Sequence, residues 1–171
     1  ADQPGHHYVD QFGSPDVRTG YQPMGREIAT RIGADVDVFC AAIGTGAAMM
    51  GSLDGMREMG LRPEVVVLEP SQSPLLTTGR SGAHNVEGIA VFPHPPFLER
   101  SQVSEIRTVD QEEAFEMCRR LAREEGVFCG GSTGLNVCEA IKLAVELGPS
   151  KRVVTLGCDS GLKYLGGRIY A

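Results

Sequence analysis

A chain of 171 residues with 42% hydrophobic side chains, 22 glycines and 10 prolines can bury one core and is too apolar to stay disordered, so residues 1–171 are read as one globular domain. Its 22 acidic side chains outnumber 16 basic ones for a formal charge of −6, and the basic residues form no dense cluster, which argues against nucleic acid or an anionic membrane as partner. No apolar run approaches the roughly 18 residues of a membrane span and the polar residues 1–10 make no signal peptide, so a soluble, cytoplasmic protein is expected.

In chain order, residues 24–32 read as a helix with Met24, Ile28 and Ile32 along one side, and residues 36–43 as a strand. Residues 47–59 form the next helix. The uninterrupted run Val65-Val66-Val67-Leu68, after Glu64, suits a strand of a parallel sheet covered on both faces. Residues 71–103 break the rhythm, and with Pro93, Pro95 and Pro96 they read as either a functional loop or a mobile surface excursion. Residues 104–109 form a strand. Asp110 then caps a helix over 111–125, with Glu113 in the capping-box place and Ala114, Phe115, Cys118, Leu121 and Ala122 as its apolar stripe. The short run Val127-Phe128-Cys129 precedes Gly130, and a helix starting at Ser132 or Thr133 runs to Leu147 and stops at Gly148-Pro149. Residues 152–156 are the last strand.

Strands alternating with helices predict an α/β fold, a doubly wound and mostly parallel sheet with helices on both faces. Such sheets bind ligands beyond the carboxyl ends of their strands. Gly44, Gly130 and Asp159 each sit where a strand gives way to a loop and so can line one crevice. The five cysteines, Cys40, Cys118, Cys129, Cys138 and Cys158, are odd in number and widely spaced, and buried free thiols are the expectation for them. No C-x-x-C or Cys/His spacing suggests zinc, and no metal is expected.

Gly44-Thr45-Gly46-Ala47-Ala48-Met49-Met50-Gly51 lies between a strand and a helix. A turn of this kind leaves backbone N–H groups aimed at one point where the helix dipole also favours negative charge, so it outlines a phosphate cradle. Glycine-rich turns without phosphate are as common. Neither G-x-G-x-x-G nor G-x-x-x-x-G-K-[ST] can be read from Gly44, which disfavours a dehydrogenase-like nucleotide domain.

Seven segments in one order resemble the C-terminal part of pyridoxal-phosphate enzymes of the cysteine synthase and cystathionine β-synthase type, the tryptophan-synthase-β-like fold. They are Gln11-Phe12, Gly25-Arg26-Glu27-Ile28, Gly44-Thr45-Gly46, Val67-Leu68-Glu69-Pro70, Gly82-Ala83-His84-Asn85-Val86-Glu87-Gly88-Ile89, Gly130-Gly131-Ser132-Thr133-Gly134 and Cys158-Asp159-Ser160-Gly161. The resemblance implies pyridoxal 5'-phosphate as cofactor, with Gly44, Thr45, Gly46, Ala47 and Ala48 around its phosphate. Ala48 stands where the family has a second threonine, which removes one hydroxyl donor. Gly88-Ile89-Ala90 matches a Gly-Ile-Gly turn against the cofactor, and Ala90 would be strained if that place needs positive φ.

Ser132 matches the serine at the pyridine nitrogen, where a neutral hydroxyl favours β-elimination and β-replacement; a plain helix N-cap is its other reading. Asp159 and Ser160 match the segment behind the ring. Gln11 matches a glutamine that binds the substrate carboxylate, or else is a solvated loop residue. His84 is expected to face solvent.

The family's lysine motif, Ser-x-Lys-Asp-Arg, and its Thr-Ser-Gly-Asn loop do not occur, and the three lysines, Lys142, Lys151 and Lys163, stand in other contexts. No residue is therefore assigned as catalytic. The implied function is the C-terminal part of a β-replacement enzyme, first of all cysteine synthase, inactive alone for want of the Schiff-base lysine. It would pair with a lysine-bearing N-terminal half or assemble as a homo-oligomer. A cystathionine β-synthase-like enzyme is the alternative within the family, and a non-catalytic protein binding a phosphate ligand or a partner is the alternative outside it.

Overall fold

The computed structural model describes residues 4–6, 8–33 and 35–171; Ala1, Asp2, Gln3 and His7 of the polar N-terminal stretch lie outside the described residues. Four strands, β1 (Val38–Ala42), β2 (Glu64–Pro70), β3 (Glu105–Val109) and β4 (Val153–Thr155), form one sheet in the order β3-β2-β1-β4. Every pairing is parallel, with Cys40 opposite Val66 on one side and Thr155 on the other.

Alternation along the strands separates two cores. Val38, Cys40, Val66 and Leu68 join Phe115, Cys118 and Leu135 from α5 (Gln111–Arg120) and α6 (Gly131–Leu147). Phe39, Ala41, Val65 and Val67 join Met49, Met50, Leu53 and Met56 of α3 (Ala47–Glu58) on the opposite face. This is the doubly wound α/β arrangement with helices on both faces. The β2 run is apolar without a break because both of its faces are covered.

A short helix α1 (Asp16–Thr19) and α2 (Gln22–Ile32) pack on α3 through glycines. A Cβ at Gly25, Gly51 or Gly55 would fall well inside 3.0 Å of the backbone oxygens of Ser52, Arg18 and Gln22. Backbone therefore touches backbone along this seam, and α2 begins two residues before the expected start because Pro23 fits its first turn.

Residues 71–103 run over the surface but are anchored to the body of the domain. The turn of α4 (Leu75–Thr78) is anchored by Glu69, a buried carboxylate at the end of β2 that accepts from Leu76 N at 2.7 Å, from Thr77 N at 3.0 Å and from the Thr77 hydroxyl. Val86 and Ile89 enter the α5/α6 core, and Ala90 N donates to Ile43 O at 3.1 Å. The irregular backbone persists because its polar groups find partners at the strand ends.

Three local expectations are corrected. The Val127-Phe128-Cys129 run makes only a single antiparallel bridge, Cys129 to Ser160, since Gly126 and Gly130 leave it too short for a ladder. Residues 121–125 continue α5 as a π turn. Glu113 closes no capping box; its carboxylate turns to Lys142 Nζ at 2.8 Å, where an opposite charge is the better partner.

Asp110 does cap α5, its Oδ1 accepting from Glu112 N at 2.8 Å and Glu113 N at 3.4 Å. The Glu112 amide, with Gln72 and the Glu113 amide behind it, holds the Asp110 carboxyl below the usual range. Because the folded state prefers the ionised form, this contribution is full above the ordinary carboxylate range and is lost as pH falls through the depressed value. Asp110→Ala should cost about 1 kcal/mol in urea unfolding at pH 7, and the difference from wild type should shrink on acidification below the ordinary aspartate pKa. An equal difference at pH 7 and pH 2.5 would contradict the capping account.

Candidate functional site

The strand order reverses at β1: β2 and β3 extend to one side and β4 lies on the other. The chain leaving β1 and the chain leaving β4 turn away from each other, which opens a crevice at their carboxyl ends. Asn136 of α6 holds that opening. Its side chain is 0% exposed, its Oδ1 accepts from Ala42 N at 2.7 Å and its Nδ2 donates to Leu156 O at 2.9 Å, just beyond the last strand pair, Cys40 with Thr155.

The resulting cleft, about 420 Å³, lies within the range of small-ligand sites. Gln11, Gly44, Thr45, Gly46, Ala48, Gly88, Ser132 and Asp159 line it together, although they come from five separate stretches of chain. Ala47 is buried at the start of α3 and does not line it.

On the β1 side, the first helical bond of α3 runs from Met50 N to Gly46 O at 2.9 Å. The amides of Ala47, Ala48 and Met49 thus have no helical acceptor, and among the described residues only Ala47 N finds a substitute, Thr45 Oγ1 at 3.4 Å. A Cβ on Gly44 would overlap Gly88 O, so the glycine turn is pressed directly against the Gly88-Ile89 backbone. Phe97 N to Thr45 O at 3.0 Å ties the same loop down.

On the α6 side the helix starts at Gly131 with Gly130 at the cap position, which removes the N-cap reading of Ser132. The Ser132 side chain, 7% exposed, makes no hydrogen bond to the described residues and lines the cleft. Asp159 is held by the Tyr164 hydroxyl, which donates to Oδ2 at 2.7 Å; burial and then this carboxylate push the Tyr164 phenol up.

Two expectations fail here. His84 is half-buried rather than solvent-facing, and burial lowers its pKa, because the loop that carries it packs on the α5/α6 core through Val86. Cys158 is exposed and lines the cleft, unlike the four buried cysteines, since it follows β4 where the sheet gives way to the crevice.

Lys163 and Glu87 were not singled out and also line the cleft, where they form an ion pair. Hydrogen bonding to Glu87 raises the Lys163 pKa. Glu87 belongs to the Gly82–Ile89 segment but carried no role of its own, and the 3₁₀ turn Gly161–Tyr164 brings Lys163 back over the strand ends.

Ala90 has φ of 51°, so the position does adopt the left-handed conformation under which alanine is strained. Ala90→Gly should raise stability by about 1 kcal/mol, seen as a later urea midpoint at unchanged slope. An earlier midpoint would show that the freedom gained by the unfolded chain outweighs the relieved strain.

Residues 1–159 match the family described as pyridoxal-phosphate dependent enzyme. The chain belongs to this family. It is 35% identical over 158 residues to the probable cysteine synthase of Bacillus subtilis, an alignment covering 91% of this chain and 50% of that protein. In structure it is similar to the O-acetylserine dependent cystathionine beta-synthase from Helicobacter pylori, with a TM-score of 0.88, 31% identity, and coverage of 99% of this chain and 55% of the other. O-ureido-L-serine synthase superposes with a TM-score of 0.84 at 31% identity over 94% of this chain and 51% of its own. The chain spans about half the length of the curated relatives it matches.

The cleft suits the cofactor this pyridoxal-phosphate family uses. The turn that a Cβ at Gly44 would fill opens at a helix N-terminus, where free amides and the dipole favour a phosphate. The unpartnered Ser132 hydroxyl offers a neutral hydrogen-bonding group on the facing element. Among the described residues no group of acidic, histidine or cysteine side chains is arranged for a metal, and no helix is long and apolar enough to cross a membrane.

Proposed function

We propose that this chain is the cofactor-holding part of a β-replacement enzyme of the cysteine synthase type, which converts O-acetylserine and sulfide to cysteine and acetate, and that alone it binds pyridoxal 5'-phosphate without turnover. The observation that carries the reading is the opening of the Gly44-Thr45-Gly46 turn and the Ser132 hydroxyl into one cleft. When bound, the cofactor supplies an electron sink for loss of the α-proton and of the β-leaving group.

The amides following Gly44, with the Thr45 hydroxyl, would hold the phosphate. Ser132 would offer the ring nitrogen a neutral hydroxyl, an environment that favours β-elimination and replacement. Gly88 lets the Glu87–Ile89 backbone lie close beside the ligand, and Asp159, tied to Tyr164, orders the opposite wall. Gln11 reaches the substrate carboxylate from the rim. Lys163 is paired with Glu87 and stands outside the family's lysine motif, so it is given no part in the proton transfers. Proton transfer therefore falls to a lysine supplied by a lysine-bearing half or by the rest of a longer protein.

The test is a spectroscopic titration of the chain with pyridoxal 5'-phosphate, followed by addition of the N-terminal half of the Bacillus subtilis relative. Cofactor binding without cysteine formation by the chain alone, and cysteine formation on complementation, are expected. Absence of binding, or turnover by the chain alone, overturns the proposal. Homocysteine in place of sulfide separates cystathionine β-synthase chemistry from cysteine synthase chemistry.

The free amides at the start of α3 fit equally a second reading, a non-catalytic protein for a phosphate ligand, which binding without complementation would favour. Ala48→Thr restores the missing hydroxyl and should tighten pyridoxal 5'-phosphate binding severalfold in the same titration, since a hydrogen bond to a charged group contributes roughly 1.5–3 kcal/mol before losses in ordering. Unchanged affinity would place Ala48 away from the phosphate.

A further inference from the structure

The five cysteines divide sharply by environment. Cys40, Cys118, Cys129 and Cys138 are buried, and burial pushes the Cys40 thiol up to about 11 and the Cys118 thiol up to about 12. Burial raises Cys129 and Cys138 as well. Cys158 is exposed, on the wall of the cleft.

Its position is built rather than incidental. Cys158 N donates to Thr133 Oγ1 at 2.9 Å, which pins the residue to the first turn of α6, and its Sγ lies 3.6 Å from Asn136 Nδ2. The same cleft holds the Ser132 hydroxyl, more than nine-tenths buried and without a partner among the described residues, a group that a ligand atom would satisfy. Lys163 and the carboxylates of Glu87 and Asp159 line the walls, offering charges of both signs. An entrant with both a carboxylate and an ammonium group matches that lining, and the volume of about 420 Å³ accommodates one of amino-acid size.

We propose that Cys158 is a thiol-modification site for small disulfides of amino-acid thiols, and that the mixed disulfide occupies the cleft. Cys158 Sγ, having released its proton, attacks one sulfur of the disulfide. The bond between the two entering sulfurs breaks as the bond to Cys158 forms. The departing thiolate takes up the proton, so Cys158 is oxidised as half of the small disulfide is reduced, and no other oxidant is needed. The adduct stands between the Ser132 hydroxyl and the walls that face the Gly44 turn, and it excludes a phosphate-ester ligand. The modification stands on the exposed thiol together with the unpartnered Ser132 hydroxyl and the charged lining of the cleft; the exclusion rests on the reading in the preceding subsection.

The reduced chain, incubated with L-cystine and examined by intact mass and peptide mapping, should gain one half-cystine at Cys158 and lose it to dithiothreitol. Cys158→Ser should gain none. Adduct first at any buried cysteine, or equal uptake by Cys158→Ser, overturns the assignment; mapping of the wild-type chain decides it even if the variant fails to fold. Pyridoxal 5'-phosphate added first should slow uptake at least tenfold, and the modified chain should bind pyridoxal 5'-phosphate at least tenfold more weakly. Equal affinity before and after modification overturns the exclusion. A reduced chain that binds no pyridoxal 5'-phosphate overturns the preceding functional reading, and the mass result then decides Cys158 by itself.

Discussion

Asn136→Ala is expected to cost about 4 kcal/mol, a large share of the 5–15 kcal/mol that holds a typical domain together. The side chain is fully buried and bonds the last amide of β1 and a carbonyl just past β4. Alanine leaves Ala42 N and Leu156 O without these partners, each at about 1–3 kcal/mol, and adds a cavity at the point where two strands diverge. Neither strand can satisfy the other there, because their pairing ends at Cys40 and Thr155. Urea unfolding measures the loss. Asn136→Asp keeps the acceptor for Ala42 N but not the donor to Leu156 O, and it buries a charge, so it should be no milder. A loss under 1 kcal/mol for Asn136→Ala would mean that water replaces the amide and that the cleft does not depend on it.

Gly44→Ala should weaken pyridoxal 5'-phosphate binding at least tenfold and cost about 2 kcal/mol of stability. The added Cβ overlaps Gly88 O, a backbone atom. That loop cannot simply recede, since Ala90 N is bonded to Ile43 O at 3.1 Å and Phe97 N to Thr45 O at 3.0 Å on either side of the clash. Either those bonds stretch or the glycine turn moves into the space that the phosphate needs. Parallel spectroscopic and unfolding titrations separate the two effects. Wild-type affinity in a folded Gly44→Ala chain would remove the turn from the phosphate site.

Much of the fold was legible because the signals are local. Apolar runs and period-3.6 patterns placed all four strands and the helices α2, α3, α5 and α6, with ends shifted by one or two residues where hydrogen bonding rather than hydrophobicity sets the boundary, α5 apart, whose last five expected residues form a π turn. Asp110 was readable as a cap because capping depends on a few neighbouring residues, whereas the question of strain at Ala90 arose only from the likeness to a Gly-Ile-Gly turn and its φ of 51° came from the structure. Glu113 was misread for the complementary reason: its partner, Lys142, is distant in sequence and charged, and a local rule gives such a pairing no weight.

The chain by itself determined the alternation of strands and helices, the glycine turn after the first strand and the likeness that runs through Ser132 and Asp159. Only the tertiary structure decided that β4 lies beside β1 rather than β3, and this order creates the crevice. From it follow the roles of Asn136, Cys158, Lys163 and Glu87; Cys158 and Glu87 fall inside recognised segments, but nothing local told which way they face. Sequence periodicity records which face of an element is buried. Which elements become neighbours depends on loop closure, sheet pairing and the packing of two helix layers at once, and those free energies are shared among residues far apart along the chain.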